Sequence, residues 1–378
     1  MQNITYQIFD SLAKIKREEW DSVFGELPEG YQFYKTLEES GLDGFIFYYI
    51  VLYNAGEVQL IAPLFVTDFN LDIAAEGIIE KIIFSIRKLF PSLLTLKTLF
   101  CGSPFAEKGV LGIRKAASGE DIDLDRKRLL LLELKNRMQE FCKEKKINLM
   151  LFKDFPEEDV KVMDALVSGG FFRVKSFPSV VNDLKFGSFE EYLLSLGSST
   201  RKNLRRKLKK TYGQARIDVE VRDDCRCIIE DILRLYENTY HGGSIQFERL
   251  SRNFFLNIAI NLKPHTRFFL YYVNGKLAAF NLCFVYKDLL IDKFIGFDYD
   301  ISRKYSLYFV SWCFNVEWCL KNSIRYYLTG QTDYGPKMQL GGEAVRLYAY
   351  IKHRNKLTNL FFRLLALLLK PENFDRAI

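Results

Sequence analysis

The stretch 289–337 places the tightest limits on the fold. An apolar strand pattern, LLIDKFIGF (289–297), leads into a polar loop, DYDISRKYS (298–306), and a helical pattern over 307–321. A second strand, IRYYLT (324–329), and a polar loop, GQTDYGPK (330–337), complete the unit. Two strands joined through a helix form a crossover and lie parallel. Just upstream, RFFLYYV and KLAAFNLCFVY flank Asn274-Gly275, residues that tolerate the positive φ of a tight hairpin turn. A hairpin beside a crossover requires a mixed sheet, which argues against a doubly wound parallel fold. Polar groups gather at the ends of both strands, on the side where the helix begins. Ligands of open α/β sheets bind at the carboxyl ends of strands, so the sequence places the functional site here.

The same order of elements occurs earlier. Residues 1–44 read as two helices, followed by a hairpin about Asn54-Ala55-Gly56. An amphipathic helix over 78–90 ends at Pro91, and the strand LLTLKTLF follows. A loop over 109–125, a helix over 125–145 and the strand INLMLFKDF (147–155) come next. A short helix over 157–168 ends at Gly169-Gly170, before a strand pair in FFRVKSF and SVVNDLKF. In the second half, helices over 187–213, 225–239 and 249–262 precede the Asn274 hairpin. Ser188 and Glu191 have capping-box spacing. A strand, VRLYAYIKH, and a last helix follow the crossover unit. Order and element type repeat while residue identity does not, which suggests two copies of one α/β unit. The expected division is 1–183, 184–356 and a terminal hydrophobic segment, 357–378.

Composition narrows the function classes. Apolar residues make up 48% and charged residues 27%, the balance of a globular chain rather than a disordered one. The 7 Cys lack framework spacing, which favours reduced thiols, and with 3 His and no His/Cys cluster no metal site is expected. No leader-like apolar run opens the sequence, and a cytoplasmic setting is expected, with the inner membrane face as a peripheral alternative. The most apolar run, LTNLFFRLLALLLK (357–370), is too short to span a bilayer and is broken by Arg363. It reads as a core helix or as a helix lying on a membrane. Much of the net charge of +7 falls in RKNLRRKLKK (201–210). That run suits an anionic contact, whether a phosphorylated substrate, anionic lipid or nucleic acid. No base-stacking aromatics are interleaved in it, which counts against sequence-specific nucleic-acid readout.

Three stretches together resemble the Fem-type, FemAB-related acyltransferases of the GNAT superfamily. They are FEEYLLSLGSSTRKNLRRKLKK, TRFFLYYVNGKLAAFNLCFVY with FIGFD, and DYGPKMQLGG, where Lys337 falls at the family's Tyr-x-x-Lys-like position. They cover 187–355. The resemblance implies an α/β fold of mixed sheets, a tandem GNAT-like (acyl-CoA N-acyltransferase) fold. It also implies transfer of an acyl or aminoacyl group to an amine on a cell-envelope or polysaccharide precursor, with the donor either an acyl-CoA or an aminoacyl-tRNA. Two family features are missing. There is no long charged arm of the kind that binds tRNA, and the Arg/Gln-x-x-Gly-x-Gly/Ala acyl-CoA loop is replaced by Arg303-Lys304-Tyr305-Ser306-Leu307-Tyr308.

Acyl transfer to an amine calls for a proton acceptor near the nitrogen and a stabilised carbonyl oxygen. Asp292, Asp298 and Tyr334 are the catalytic candidates. The loop ahead of the 307–321 helix, with Arg303, Lys304, Ser306 and Tyr308, is the candidate donor site, because a helix N-terminus attracts phosphate. Lys337, Asp333, Arg201, Arg205 and Arg206 are candidate substrate contacts. Each has a plain alternative: Asp292 as a solvent-facing strand charge, Asp298 as a turn former, Lys337 as a solvated loop lysine, Tyr308 as a packing aromatic. A non-catalytic protein at a membrane surface, using the basic run and the last helix, is the competing reading from another class.

Overall fold

A computed structural model describes residues 4–27, 29–70, 95–116, 118–243 and 249–366. In chain order the strands are β1 (Ile4–Phe9), β2 (Ile46–Asn54), β3 (Glu57–Asn70), β4 (Thr95–Cys101), β5 (Gly112–Ile113), β6 (Leu149–Pro156), β7 (Phe172–Lys175), β8 (Ser179–Asp183) and β9 (Ile217–Arg222). They continue with β10 (Thr266–Val273), β11 (Lys276–Tyr286), β12 (Leu289–Phe297), β13 (Tyr326–Leu328), β14 (Glu343–Val345) and β15 (Leu347–His353). The main helices are α1 (Arg17–Phe24), α2 (Tyr31–Glu39), α3 (Leu124–Glu144), α4 (Phe189–Ser195), α5 (Ser198–Gln214), α6 (Ile229–Gly242) and α7 (Arg252–Asn261). Four more follow: α8 (Tyr299–Tyr305), α9 (Leu307–Lys321), α10 (Tyr334–Gln339) and α11 (Lys356–Ala366).

The described strands form two mixed sheets. One runs β1-β2-β3-β4-β6-β15-β7, with β5 on β3, and the other β14-β8-β13-β12-β11-β10-β9. The two orders superimpose: β1 to β4 and β6 correspond to β9 to β13, and β15 and β7 to β8 and β14. Each sheet is antiparallel except at one crossover pair, β4–β6 and β12–β13. The hairpins form as their turn residues dictate, with Ala55-Gly56 and Asn274-Gly275 all at positive φ.

Several boundaries differ from the sequence reading. The N-terminal 1–44 segment begins with a strand, β1, ahead of its two helices. The expected strand pair of 171–186 does not pair: β7 closes the first sheet and β8 enters the second. The strand expected over 345–353 divides the same way, β14 in the second sheet and β15 in the first. The chain therefore does not part at 183, because the two sheets exchange a strand. Periodicity reports that a strand is half buried, not which sheet it joins. The loops of 298–306 and 330–337 each contain a short helix, α8 and α10. At the Ser188 cap, the hydroxyl accepts from the Glu191 amide, but the Glu191 carboxylate accepts from Gly187 N–H instead of completing the box. The expected 78–90 helix lies outside the described residues.

The halves also share a core. Trp20, Phe33, Leu37 and Tyr49 from the first half join Ile232, Leu235, Phe254, Phe280 and Phe284 from the second in one cluster. Phe33 meets Phe284 edge-on at 6.0 Å, and Phe105 packs against Phe254 and Phe294. Polar pairs fix the angle between α7 and α2: Asn261 Nδ2 donates to Thr36 Oγ1 (3.1 Å), and Ser251 Oγ to the Ser40 carbonyl (2.7 Å). The opposite face of the second sheet is covered by α4, α5 and α9 through Leu193, Leu204, Trp312 and Val316.

Candidate functional site

Parallel pairing between β12 and β13 ends at Ile291–Leu328, but β12 runs on to Phe297. The two strands therefore splay apart. The register of β12 on β11 also slips here: Asp292 faces Cys283 and Phe294 faces Leu282, so Lys293 is an extra, bulged residue. A bulge re-aims the side chains on either side of it. Asp292 turns toward α9, while Lys293 and Phe294 both turn toward the first half.

Asp292 is recessed but partly reachable by solvent. Asn281 Nδ2 donates to both of its oxygens (2.9 and 2.8 Å), and the Tyr327 hydroxyl donates to Oδ2 (2.9 Å). Behind Tyr327 the chain of bonds continues. Asn315 Nδ2 donates to the Tyr327 oxygen (2.9 Å), and the Tyr271 hydroxyl donates to Asn315 Oδ1 (2.6 Å). Tyr271, Tyr327 and Asn315 are buried, so this network holds the carboxylate in one position. Burial pushes the Asp292 pKa up to about 6, against the pull of Asn281, Tyr327 and the Lys337 charge. A carboxylate tuned this way is ionised at neutral pH yet basic enough to accept a proton. Tyr308, on the first turn of α9, is near enough for the Asp292 and Asp333 charges to reinforce burial in keeping its phenol protonated. Its hydroxyl is buried and has no hydrogen-bond partner among the described residues. A carboxylate that can take a proton and a phenol that can give one thus flank the splay.

Other candidates have structural partners. Asp298 caps α8, accepting from the Ile301 amide (3.3 Å), and pairs with Lys276 (3.0 Å). Burial raises its pKa, but Lys276, the Ile301 amide and Arg234 outweigh that and hold it below the usual carboxylate range, so it is a poor base. Tyr334 is buried, with its hydroxyl donated to the Pro178 carbonyl (2.8 Å). Lys337 is buried rather than solvated. Its ammonium spans the carbonyls of Thr329 (2.6 Å), Gly330 (3.3 Å) and Gln331 (3.3 Å), which uses its three protons. It staples the loop after β13 and has no proton left for a substrate. That loop holds Gly330, Thr332 and Asp333 at positive φ, strain that a staple must overcome. Asp333 is exposed at the start of α10.

Arg303 and Lys304 are exposed on α8, lying over the rings of Tyr299 and Tyr305. Ser306 adopts the left-handed conformation that breaks α8 from α9. Helix α5 docks beside them: Thr211 Oγ1 donates to the Tyr305 carbonyl (2.7 Å) and Lys207 lies over the Phe309 ring. In the basic run, Arg201 bonds the Leu194 and Leu196 carbonyls and Arg205 pairs with Glu190. Arg206 is exposed, bonded to Asn203. Arg201 and Arg205 thus anchor α5 to α4.

The sequence reading missed Tyr327, Asn315, Asn281 and the bulge. Tyr327 was visible only as strand hydrophobicity, and Asn315 as one polar residue in an apolar helix, itself a usable signal. It also missed a buried cluster on the other face of β12. Lys293 contacts Glu29 (2.5 Å), Glu107 (3.1 Å) and the Phe105 carbonyl. Burial raises the Glu29 pKa despite Lys293, and the two carboxylates keep Lys293 charged although burial opposes it. The segment bearing Glu107 fills the first half's own β4–β6 end: the Gly109 amide bonds the Asp154 carbonyl, and Phe152 and Phe155 pack there. A surface hollow of about 410 Å³ around Arg222, Asp224 and Arg267 lies at the far sheet edge. Among the described residues no group of His, Cys, Asp and Glu could hold a metal, and no helix is long and apolar enough to cross a membrane.

Residues 198–337 match the family model for the Acetyltransferase (GNAT) domain. The structure is similar to that of FemX, with a TM-score of 0.58 at 12% identity over 95% of this chain and 100% of that one. It is similar to L-PGS from Bacillus licheniformis (0.52, 11%, 92% and 98%). A tandem GNAT protein from the clavulanic acid biosynthesis pathway also superimposes (0.54, 10%, 93% and 99%). No curated protein matches the chain. At these identities the solved structures establish the tandem GNAT fold, and the matched domain covers the elements that carry Asp292, Asn315 and Tyr327.

Proposed function

We propose that this FemAB-related acyltransferase of the GNAT superfamily moves an acyl or aminoacyl group to an amine on a cell-envelope or polysaccharide precursor, with Asp292 as the proton acceptor. The observation that carries the reading is the recessed Asp292 carboxylate at the strand splay, raised to about 6. The acceptor arrives as an ammonium and must lose a proton before its nitrogen can attack. Asp292 takes that proton, and Asn281 and Tyr327 hold the carboxylate toward the cleft. The nitrogen adds to the donor carbonyl, the tetrahedral carbon collapses, and the bond to the donor's sulfur or oxygen breaks. Tyr308, kept protonated by burial and by Asp292 and Asp333, supplies the proton to the leaving group, and its phenolate then takes the second proton that the nitrogen sheds as the amide forms. Arg303 and Lys304 are exposed cations on α8, just ahead of the start of α9, and suit the donor's phosphates. The envelope reading is supported by the FemX and L-PGS likenesses. An acyl-CoA and an aminoacyl-tRNA remain the two donors to be compared.

The test is a transfer assay with a panel of acyl-CoA thioesters and aminoacyl-tRNAs against amine acceptors, read by mass. The Asp292→Asn protein should fall about 10²- to 10⁴-fold in kcat, and Arg303→Ala should raise the donor KM with little change in kcat. Unchanged turnover in Asp292→Asn would remove Asp292 from the reaction.

A further inference from the structure

We infer that α11 and the turn beside it form a docking surface for an anionic lipid membrane. The helix has two unlike faces. One is tied to the protein: the Asn359 side chain accepts from His353 N–H (2.8 Å) and donates to the Gly170 carbonyl (3.1 Å), and Phe362 meets the His353 ring. Asn355 caps the start through the Leu357 and Thr358 amides. The other face presents Leu357, Leu360, Phe361 and Leu364, which are 79%, 54%, 59% and 57% exposed. Leu360 and Phe361 lie three and four residues after Leu357, and Leu364 lies four and three after them, so the four form one continuous stripe. Large apolar side chains aligned this way and left in water cost free energy until something covers them.

Charge identifies what covers them. Between Arg354 and Ala366 the sequence has Arg354, Lys356 and Arg363 and no acidic residue. A second cationic group adjoins the helix root: Arg354 reaches the Cys142 and Ile147 carbonyls (3.5 Å each), which bracket the exposed Lys143, Lys145 and Lys146. Lys145 is the member paired with an acid, Glu144. A second copy of this chain docking about a two-fold axis would set this cationic rim against itself. An anionic bilayer offers apolar depth for the stripe and negative headgroups for the rim, the usual pairing for a helix lying in the interface. Each cation near such a surface strengthens binding several-fold, and salt weakens it. The inference is independent of the acyl-transfer reading: it uses other residues and needs no donor.

The experiment is co-sedimentation of the full chain with vesicles of phosphatidylcholine alone and of phosphatidylcholine with phosphatidylglycerol. Two double variants, L360E/F361E and K356E/R363E, change exposed side chains and should melt as the unmodified protein does. Binding to the phosphatidylglycerol vesicles, weakened by salt and reduced roughly tenfold or more in both variants, is the expected result. Three outcomes overturn it: no sedimentation with either vesicle, binding that both variants retain, or a dimer that L360E/F361E dissociates, which would give the face to a second copy.

Discussion

Replacing Tyr327 by Phe removes one hydroxyl and tests whether the buried network sets the basicity of Asp292. That hydroxyl donates to Asp292 Oδ2 at 2.9 Å and is among the groups that hold the carboxyl's pKa down. A hydrogen bond to a charged group contributes about 1.5–3 kcal/mol, and about 1.4 kcal/mol corresponds to one pH unit. The Asp292 pKa should therefore move from about 6 to roughly 7 to 8 in the variant. At pH 7 the ionised fraction falls from about nine-tenths to between about one-tenth and one-half. Turnover at pH 7 should drop roughly two- to tenfold and recover near pH 9. The assay is kcat/KM against pH for both proteins with one donor and one amine. Asn315 Nδ2 loses its acceptor in the variant, so a melting curve should accompany the profile. An acid limb that stays in place, or a loss equal at every pH, would refute the link between Tyr327 and Asp292 ionisation.

Two further consequences concern stability. Asp292 has a folded-state pKa raised from 3.8 to about 6, so its contribution to stability is present below pH 4 and lost as pH rises through 6. Asp292→Asn should thus stabilise the protein at pH 8 by up to about 3 kcal/mol and have little effect at pH 4, as seen by denaturant unfolding at both pH values. Lys293→Met strands Glu29 and Glu107 in the shared core and should destabilise by about 3–5 kcal/mol at pH 8. The loss should shrink toward pH 5, because burial already raises the Glu29 pKa and a proton can replace the missing ammonium. A pH-independent loss would mean that packing, not charge, carries the effect.

The hairpins, the crossover and the placement of a site at the ends of β12 and β13 were legible because turn chemistry and periodicity act locally. Asp292 could be marked on those grounds, as an acid among apolar neighbours. Its role could not be told from that of Asp298, since the two differ in what lies opposite them: Asn281 and Tyr327 in one case, Lys276 and the end of a helix in the other. Lys337 shows the same limit. A lysine in a polar loop reads as free, and only the fold brings three carbonyls to its ammonium. The bulge at Lys293 leaves no mark on composition, yet it turns Lys293 and Phe294, adjacent in sequence, to the same face of the sheet. The swapped β8 and β15 satisfy the same alternation in either sheet.

The strand exchange has a consequence for how the chain is made. Ile351 pairs with Leu151, and Leu328 with Val181, so the first sheet lacks an inner strand until nearly all of the described chain is available. The N-terminal half leaves the ribosome with β6 as an open edge, a surface that recruits stray strands, and its β7 waits for β15 as a neighbour on the path. Neither half has a complete set of strands to fold around when expressed alone. The two should melt as one cooperative unit, and fragments divided near residue 183 should be stable only when both are present.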